Sequence, residues 1–193
     1  QALQQLGMAG AFAATTTATL RTALAVVTAR AHGSLGAERD CLYAIDTAHA
    51  HFDRRELDRE PAWMGFWNSA QLAGDTGQAL VPLALHQGRE LDRAVQLLDS
   101  AVREHAPEEA RAAVLSHIKL ARLHLAAGDT DRARQSTRTL VETAPAIRSA
   151  RVRRDLADLA DDTIPLGSDP DATWVRHSVE HTLQTTQDPA TGW

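Results

Sequence analysis

Residues 114–147, VLSHIKLARLHLAAGDTDRARQSTRTLVETAPAI, decide the fold. Val114, Ile118, Ala121 and Leu125 recur at intervals of three and four, the spacing that lines apolar side chains along one helical face. Gly128 breaks the run. Asp129 or Thr130 then supplies an N-cap for a second helix through Ala133, Thr137, Leu140 and Val141, and Pro145 stops it. Two amphipathic helices joined by a tight glycine turn make a helical hairpin.

Working outward, the same alternation recurs. Residues 16–33 carry Leu20, Ala23, Leu24 and Val27 on helical spacing, Gly33 and Gly36 bracket a turn, and Cys41, Leu42, Ile45, Ala48 and Phe52 restart the period. Residues 54–61 (RRELDREP) lose the period and read as a connection before Trp63 and Trp67. Leu72, Leu80, Leu83 and Leu85 restore it, although Pro82 is expected to kink or interrupt that helix. After Gly88 the return helix runs on Leu91, Ala94, Val95, Leu98 and Val102. Residues 147–160 add a helix on Val152, Leu156 and Leu159; DDTIPLGSDP (161–170) reads as a loop, and 170–186 as a last helix on Trp174, Val175, Val179 and Leu183. The opening QALQQLGMAGAFA reads as the second helix of an earlier hairpin, as if the chain were an excerpt, and the closing DPATGW as a frayed end. The expected architecture is all-α. An array over 1–160 holds hairpins at about 16–52, 68–105 and 108–144 plus helix 147–160, and 161–193 supply a loop and a helix or tail.

Composition agrees. Of 193 residues, 36 are Ala, whereas Gly and Pro supply 11 and 7 and aromatics 4%, a balance that favours helices over a turn-rich sandwich or barrel. A formal net charge of −5 gives no overall positive field for a phosphate backbone. Cys41, the only cysteine, permits neither an intrachain disulfide nor a thiolate zinc cage, which fits a reducing cytoplasm. No apolar run approaches the roughly 18 residues of a membrane span, so a cytoplasmic, membrane-free location is expected.

Candidate chemistry is thin. His177, Glu180 and His181 spell H-x-x-E-H, the inverted zinc-protease order, but only 12 residues follow and no further acidic ligand is placed to complete it; an exposed helix face is the preferred reading. His49 and His51 point to different sides of a helix and chelate poorly. His117 and His124, seven apart, fall on packing positions, as does Cys41. The cluster Arg148, Arg151, Arg153 and Arg154 is cancelled by Asp155, Asp158, Asp161 and Asp162, which reads as a solvated, self-paired helix. GMAG and GDTG lack the strand and lysine of a phosphate loop. Trp63 and Trp67 either close a groove or staple the middle hairpin, packing being preferred. Without a convergent acid, base and nucleophile, no enzyme, no metal and no cofactor are expected.

His117, Leu120, Ala121 and His124, then Ala133, Thr137 and Pro145, occupy the positions of the tetratricopeptide signature without its large aromatics. The chain therefore resembles a tetratricopeptide array, moderately over 114–147 and weakly over 22–55 and 74–107. Its turn glycines at 36, 88 and 128 lie 52 and 40 apart against a usual unit of about 34. Pro61-Ala62-Trp63, Ala70-Gln71-Leu72-Ala73, Leu120-Ala121 with Gly128-Asp129, and Ser149-Ala150-Arg151 with Leu156 and Leu159 further resemble the C-terminal sensor region of actinobacterial helix-turn-helix transcriptional regulators. That likeness implies hairpins stacked in a right-handed superhelix, and a non-catalytic ligand-sensing, protein-interaction and dimerisation role. It also implies DNA binding only through a domain absent from this chain. The alternative is a stand-alone interaction scaffold. First helices would line the concave wall, so Arg30 and Arg122, each six residues before a turn glycine, with Gln78 and Leu125, are the expected contacts for a peptide, protein or small-molecule effector. The competing reading pairs both arginines with acids of neighbouring helices. A homodimer is expected, with Trp174 and Leu183 as a plausible patch.

Overall fold

The computed structural model describes residues 17–185 apart from 57, 59 and 61, and leaves out the side chain of Trp63. The expected helix over the first 13 residues, Pro61 at the end of the connection and the frayed DPATGW end fall outside these residues, as does the packing of the Trp63 side chain. Eight α-helices and no strand occur among the described residues: α1 (Ala18–Ser34), α2 (Glu38–Phe52), α3 (Ser69–Gln87), α4 (Leu91–Glu104), α5 (Ala110–Ala126), α6 (Thr130–Thr143), α7 (Ala150–Asp162) and α8 (Pro170–Thr185). The side chains of Thr17, Asn68, Asp129 and Ser149 cap α1, α3, α6 and α7 by accepting from the backbone N–H three residues on. Gly36, Gly88 and Gly128 hold the turns with φ of +71°, +65° and +75°, a left-handed conformation that a Cβ disfavours.

Two compact units divide between Glu104 and His105. In the first, α1 pairs with α2, α3 with α4, and α1 also lies against α3. Gly33 sits inside α1 rather than in the turn, and it lets the two helices touch: a Cβ there would lie 2.0 Å from the Ala79 carbonyl oxygen of α3. Cys41 fills the same crevice, fully buried, with its thiol directed to that carbonyl at 3.8 Å. Burial pushes the thiol pKa up to about 11. Val26, Ala48, Met64, Trp67 and Leu72 make a core beside it, so Trp67 is a packing residue. Arg55 staples the connection by lying over the Phe52 ring and donating to the Trp67 carbonyl at 2.6 Å. Of the kink or interruption expected at Pro82, the interruption is absent: α3 continues through it.

In the second unit α5 pairs with α6, α7 with α8, α5 with α7, and α6 with α8. Its core holds Ile118, Ala121, Leu125, Ala133, Leu140, Val152, Leu156, Leu159, Val175 and Val179. The α7–α8 link, read from the sequence as a loop, is a fourth hairpin turn: Ile164–Leu166 is a 3-10 turn, Gly167 has φ +60°, and the Asp169 carboxylate accepts from the N–H groups of Asp171 and Ala172 at the start of α8. Trp174 and Leu183, both half-buried, pack against this core, and Trp174 lies under Arg134 and Arg138.

Candidate functional site

The first hairpin carries a duplication that composition alone hides. Residues 21–32 (RTALAVVTARAH) and 40–51 (DCLYAIDTAHAH) align without a gap, matching Ala25 to Ala44, Thr28 to Thr47, Ala29 to Ala48, Ala31 to Ala50 and His32 to His51. Two faces are thereby copied. Thr22, Val26 and Ala29 on α1, and Cys41, Ile45 and Ala48 on α2, form a buried stripe at intervals of four and three, and Ala44 beside it is buried too. The other face is open. Arg21, Leu24, Ala25, Thr28 and His32 from α1, with Asp40, Tyr43, Ala44, Thr47 and His51 from α2, line a groove of about 550 Å³.

Because the helices are antiparallel, Arg21 lies near His51 at one end of the groove and His32 near Asp40 at the other. Three observations describe the surface this makes. The floor is apolar, since the two threonine hydroxyls donate within their own helices, Thr28 to the Leu24 carbonyl at 2.9 Å and Thr47 to the Tyr43 carbonyl at 2.8 Å. Large apolar side chains flank it: Leu20, Val27 and Tyr43 are 41%, 49% and 75% exposed. The ends differ in charge. His32 Nδ1 lies 4.0 Å from the Asp40 carboxylate, whereas at the opposite end burial, then the neighbouring Arg21 and Arg54 cations, lower the His51 pKa and favour its neutral form. Arg21 Nε is buried without a hydrogen-bond partner.

The residues expected to line a concave wall take the following places. Arg30 pairs with Asp75 of α3 at 3.6 Å, and Asp75 also accepts from Gln71 at 2.7 Å; Gln78 lies one turn further along α3, half-buried. Arg122, in the second unit, binds Asp158 at 3.1 Å and also Asp162 on α7. Leu125 is buried in the core of that unit and offers no open surface. Lys119 meets Asp155 at 3.1 Å; burial lowers the Lys119 pKa, and the carboxylate acts against that shift. The expected pair of Arg151 with Asp155 within α7 is present at 4.0 Å, and the aspartates of α7 also meet cations of α5. Asp155, Asp158 and Asp162 recur three and four apart and face the cations of α5, which carries Lys119 and Arg122 at a matching interval.

His177, Glu180 and His181 are all exposed on α8, and His124 is buried. No group of three or more His, Cys, Asp or Glu is arranged to hold a metal ion among the described residues. No helix among them is long and apolar enough to cross a membrane. The helical spacing of Leu20, Leu24 and Val27 does not distinguish an open face from a buried one; the alignment of 21–32 with 40–51 is the sequence signal for the groove. No family model matches the chain, and neither a curated protein nor a solved structure matches it.

Proposed function

We propose that this chain is a non-catalytic interaction and dimerisation region built of tetratricopeptide-like hairpins, serving as the sensor half of a bacterial transcriptional regulator. The observation that supports it best is the open α1–α2 face, whose floor is apolar because the Thr28 and Thr47 hydroxyls are satisfied within their own helices. Such a surface suits another protein surface better than a polar substrate, because it offers burial and few unmet hydrogen bonds. The pairing of α1 with α3 and of α5 with α7, first helix on first helix in successive hairpins, is the neighbour relation of a repeat stack and supports the tetratricopeptide reading. Regulation enters through the sequence resemblance. Effector binding is assigned to Arg30 and Gln78, where a carboxylate ligand would exchange with Asp75.

The experiment is a fusion of the full chain to an operator-binding domain that represses a reporter only as a dimer. Repression by the fusion, absent from the DNA-binding domain alone, is expected. A stably expressed fusion that leaves the reporter fully active overturns the dimerisation role.

A further inference from the structure

We propose that the α1–α2 face is the self-association surface of the chain, occupied by the same two helices of a second copy turned end for end. The Arg21 end of each groove then lies over the Asp40 end of the other. This names the contact surface of the dimerising region proposed above and rests on that reading for the existence of a dimer.

The duplication carries the inference. In an antiparallel hairpin whose two helices repeat one motif, half a turn about the normal to the open face exchanges Leu24 with Tyr43, Ala25 with Ala44, Thr28 with Thr47 and His32 with His51. That rotation keeps the floor residues, Ala25 and Ala44 with Thr28 and Thr47, and the two histidines in kind, while Leu24 exchanges with the larger Tyr43. Only one lining pair differs in charge, Arg21 and Asp40. Two copies packed face to face have two symmetric arrangements, with the two-fold axis along the helices or across them, and the repeated floor residues are common to both. Charge is left to choose.

With the axis along the helices, each Arg21 end faces the Arg21 end of the other copy, and Arg54 adds to the positive potential there. With the axis across them, Arg21 and His51 of one copy stand at the level of Asp40 and His32 of the other, and the contact occurs twice by symmetry. Eleven residues of helix separate the two contacts by about 16 Å. No acidic side chain pairs with Arg21 among the described residues and its Nε is an orphan donor, while the Asp40 side chain is 66% exposed with only His32 at 4.0 Å. The patch is thus self-complementary in the inverted arrangement, as an isologous contact requires, and exposed Leu20, Val27 and Tyr43 supply apolar cover beside it.

Sedimentation velocity of the full chain and three variants between about 1 and 100 µM tests this, a range that resolves ordinary dimer affinities. The native chain is expected to dimerise. Arg21→Asp and Asp40→Arg each make both ends alike in sign, and each should weaken the dimer at least about tenfold. The double variant Arg21→Asp/Asp40→Arg, which rebuilds the native charge pattern rotated by half a turn, should return to within about threefold of native. If a reversal disturbs the helical circular dichroism, Asp40→Asn reads the same contact with a milder loss of about threefold. A native chain that is monomeric throughout overturns both this surface and the dimerisation reading. A dimer indifferent to the single reversals, or not restored by the double, overturns this surface alone, and monomers that instead capture an added amphipathic helix assign the groove to a foreign partner.

Discussion

Substituting Gly33 by alanine isolates the closest helix–helix approach in the first unit. The added Cβ would stand 2.0 Å from the Ala79 carbonyl oxygen, 3.2 Å from its carbon and 3.5 Å from Cys41 Sγ. The obstacle is backbone of a 19-residue helix, not the movable end of a side chain, so α1 and α3 must separate by more than 1 Å to restore van der Waals distance. Alanine gains about 1 kcal/mol of helix propensity over glycine. Overpacking a fitted contact costs about 1–3 kcal/mol, and this overlap belongs at the upper end. A net loss of about 2 kcal/mol is expected, equivalent to a fall of about 4–8 °C in Tm for a chain of this size. Thermal melts followed by far-ultraviolet circular dichroism and by tryptophan fluorescence measure it. The control is Gly128→Ala, where a Cβ meets nothing within 4 Å and the cost is the left-handed backbone alone, about 1 kcal/mol. A Gly33→Ala chain as stable as native, or more so, would refute the close approach.

Leu125→Ala should destabilise the second unit by about 2–4 kcal/mol in urea unfolding, because it empties a buried core site. Arg122→Ala strands two carboxylates that retain some water and should cost about 1–2 kcal/mol, whereas Arg30→Ala, breaking one half-exposed pair, should cost under about 1 kcal/mol. The Cys41 thiol should resist a disulfide reagent at pH 8 in the folded chain and react fully in denaturant, since it is buried and its pKa is raised. At Glu60, desolvation raises the pKa, but hydrogen bonds from Thr17 and Thr19 outweigh it and the pKa is lowered below 4.5. The folded state then holds the carboxylate more tightly than the unfolded state. Its contribution is complete above the unfolded pKa and is lost as pH falls through the folded one, and Glu60→Gln should flatten that part of the acid-unfolding curve.

Local signals carried most of the helical layout. Apolar spacing and caps placed the described helices within a few residues, because amphipathic periodicity and a turn glycine are properties of neighbouring residues. What depends on another helix was hidden. Gly33 resembles a turn glycine until Ala79 is seen against it, and Asp158 resembles a partner for Arg154 until Arg122 arrives from 36 residues away. Gly167 stands between Pro165 and Pro170, and in that setting a tight turn has the composition of a linker. Leu125 shows the limit of transferring a repeat position: its place suggested a groove, and the packing of α7 and α8 enclosed it. The α1–α2 face needed no partner to be found, only comparison of the two helices with each other.

Hydrogen–deuterium exchange of the full chain at about 1 µM and at about 100 µM tests the binding face most directly, because association slows the opening of the helices it covers. Protection that rises with concentration and is confined to residues 20–32 and 40–51 is expected. Exchange that is independent of concentration, or protection that appears instead on α8, would contradict the assignment of that face.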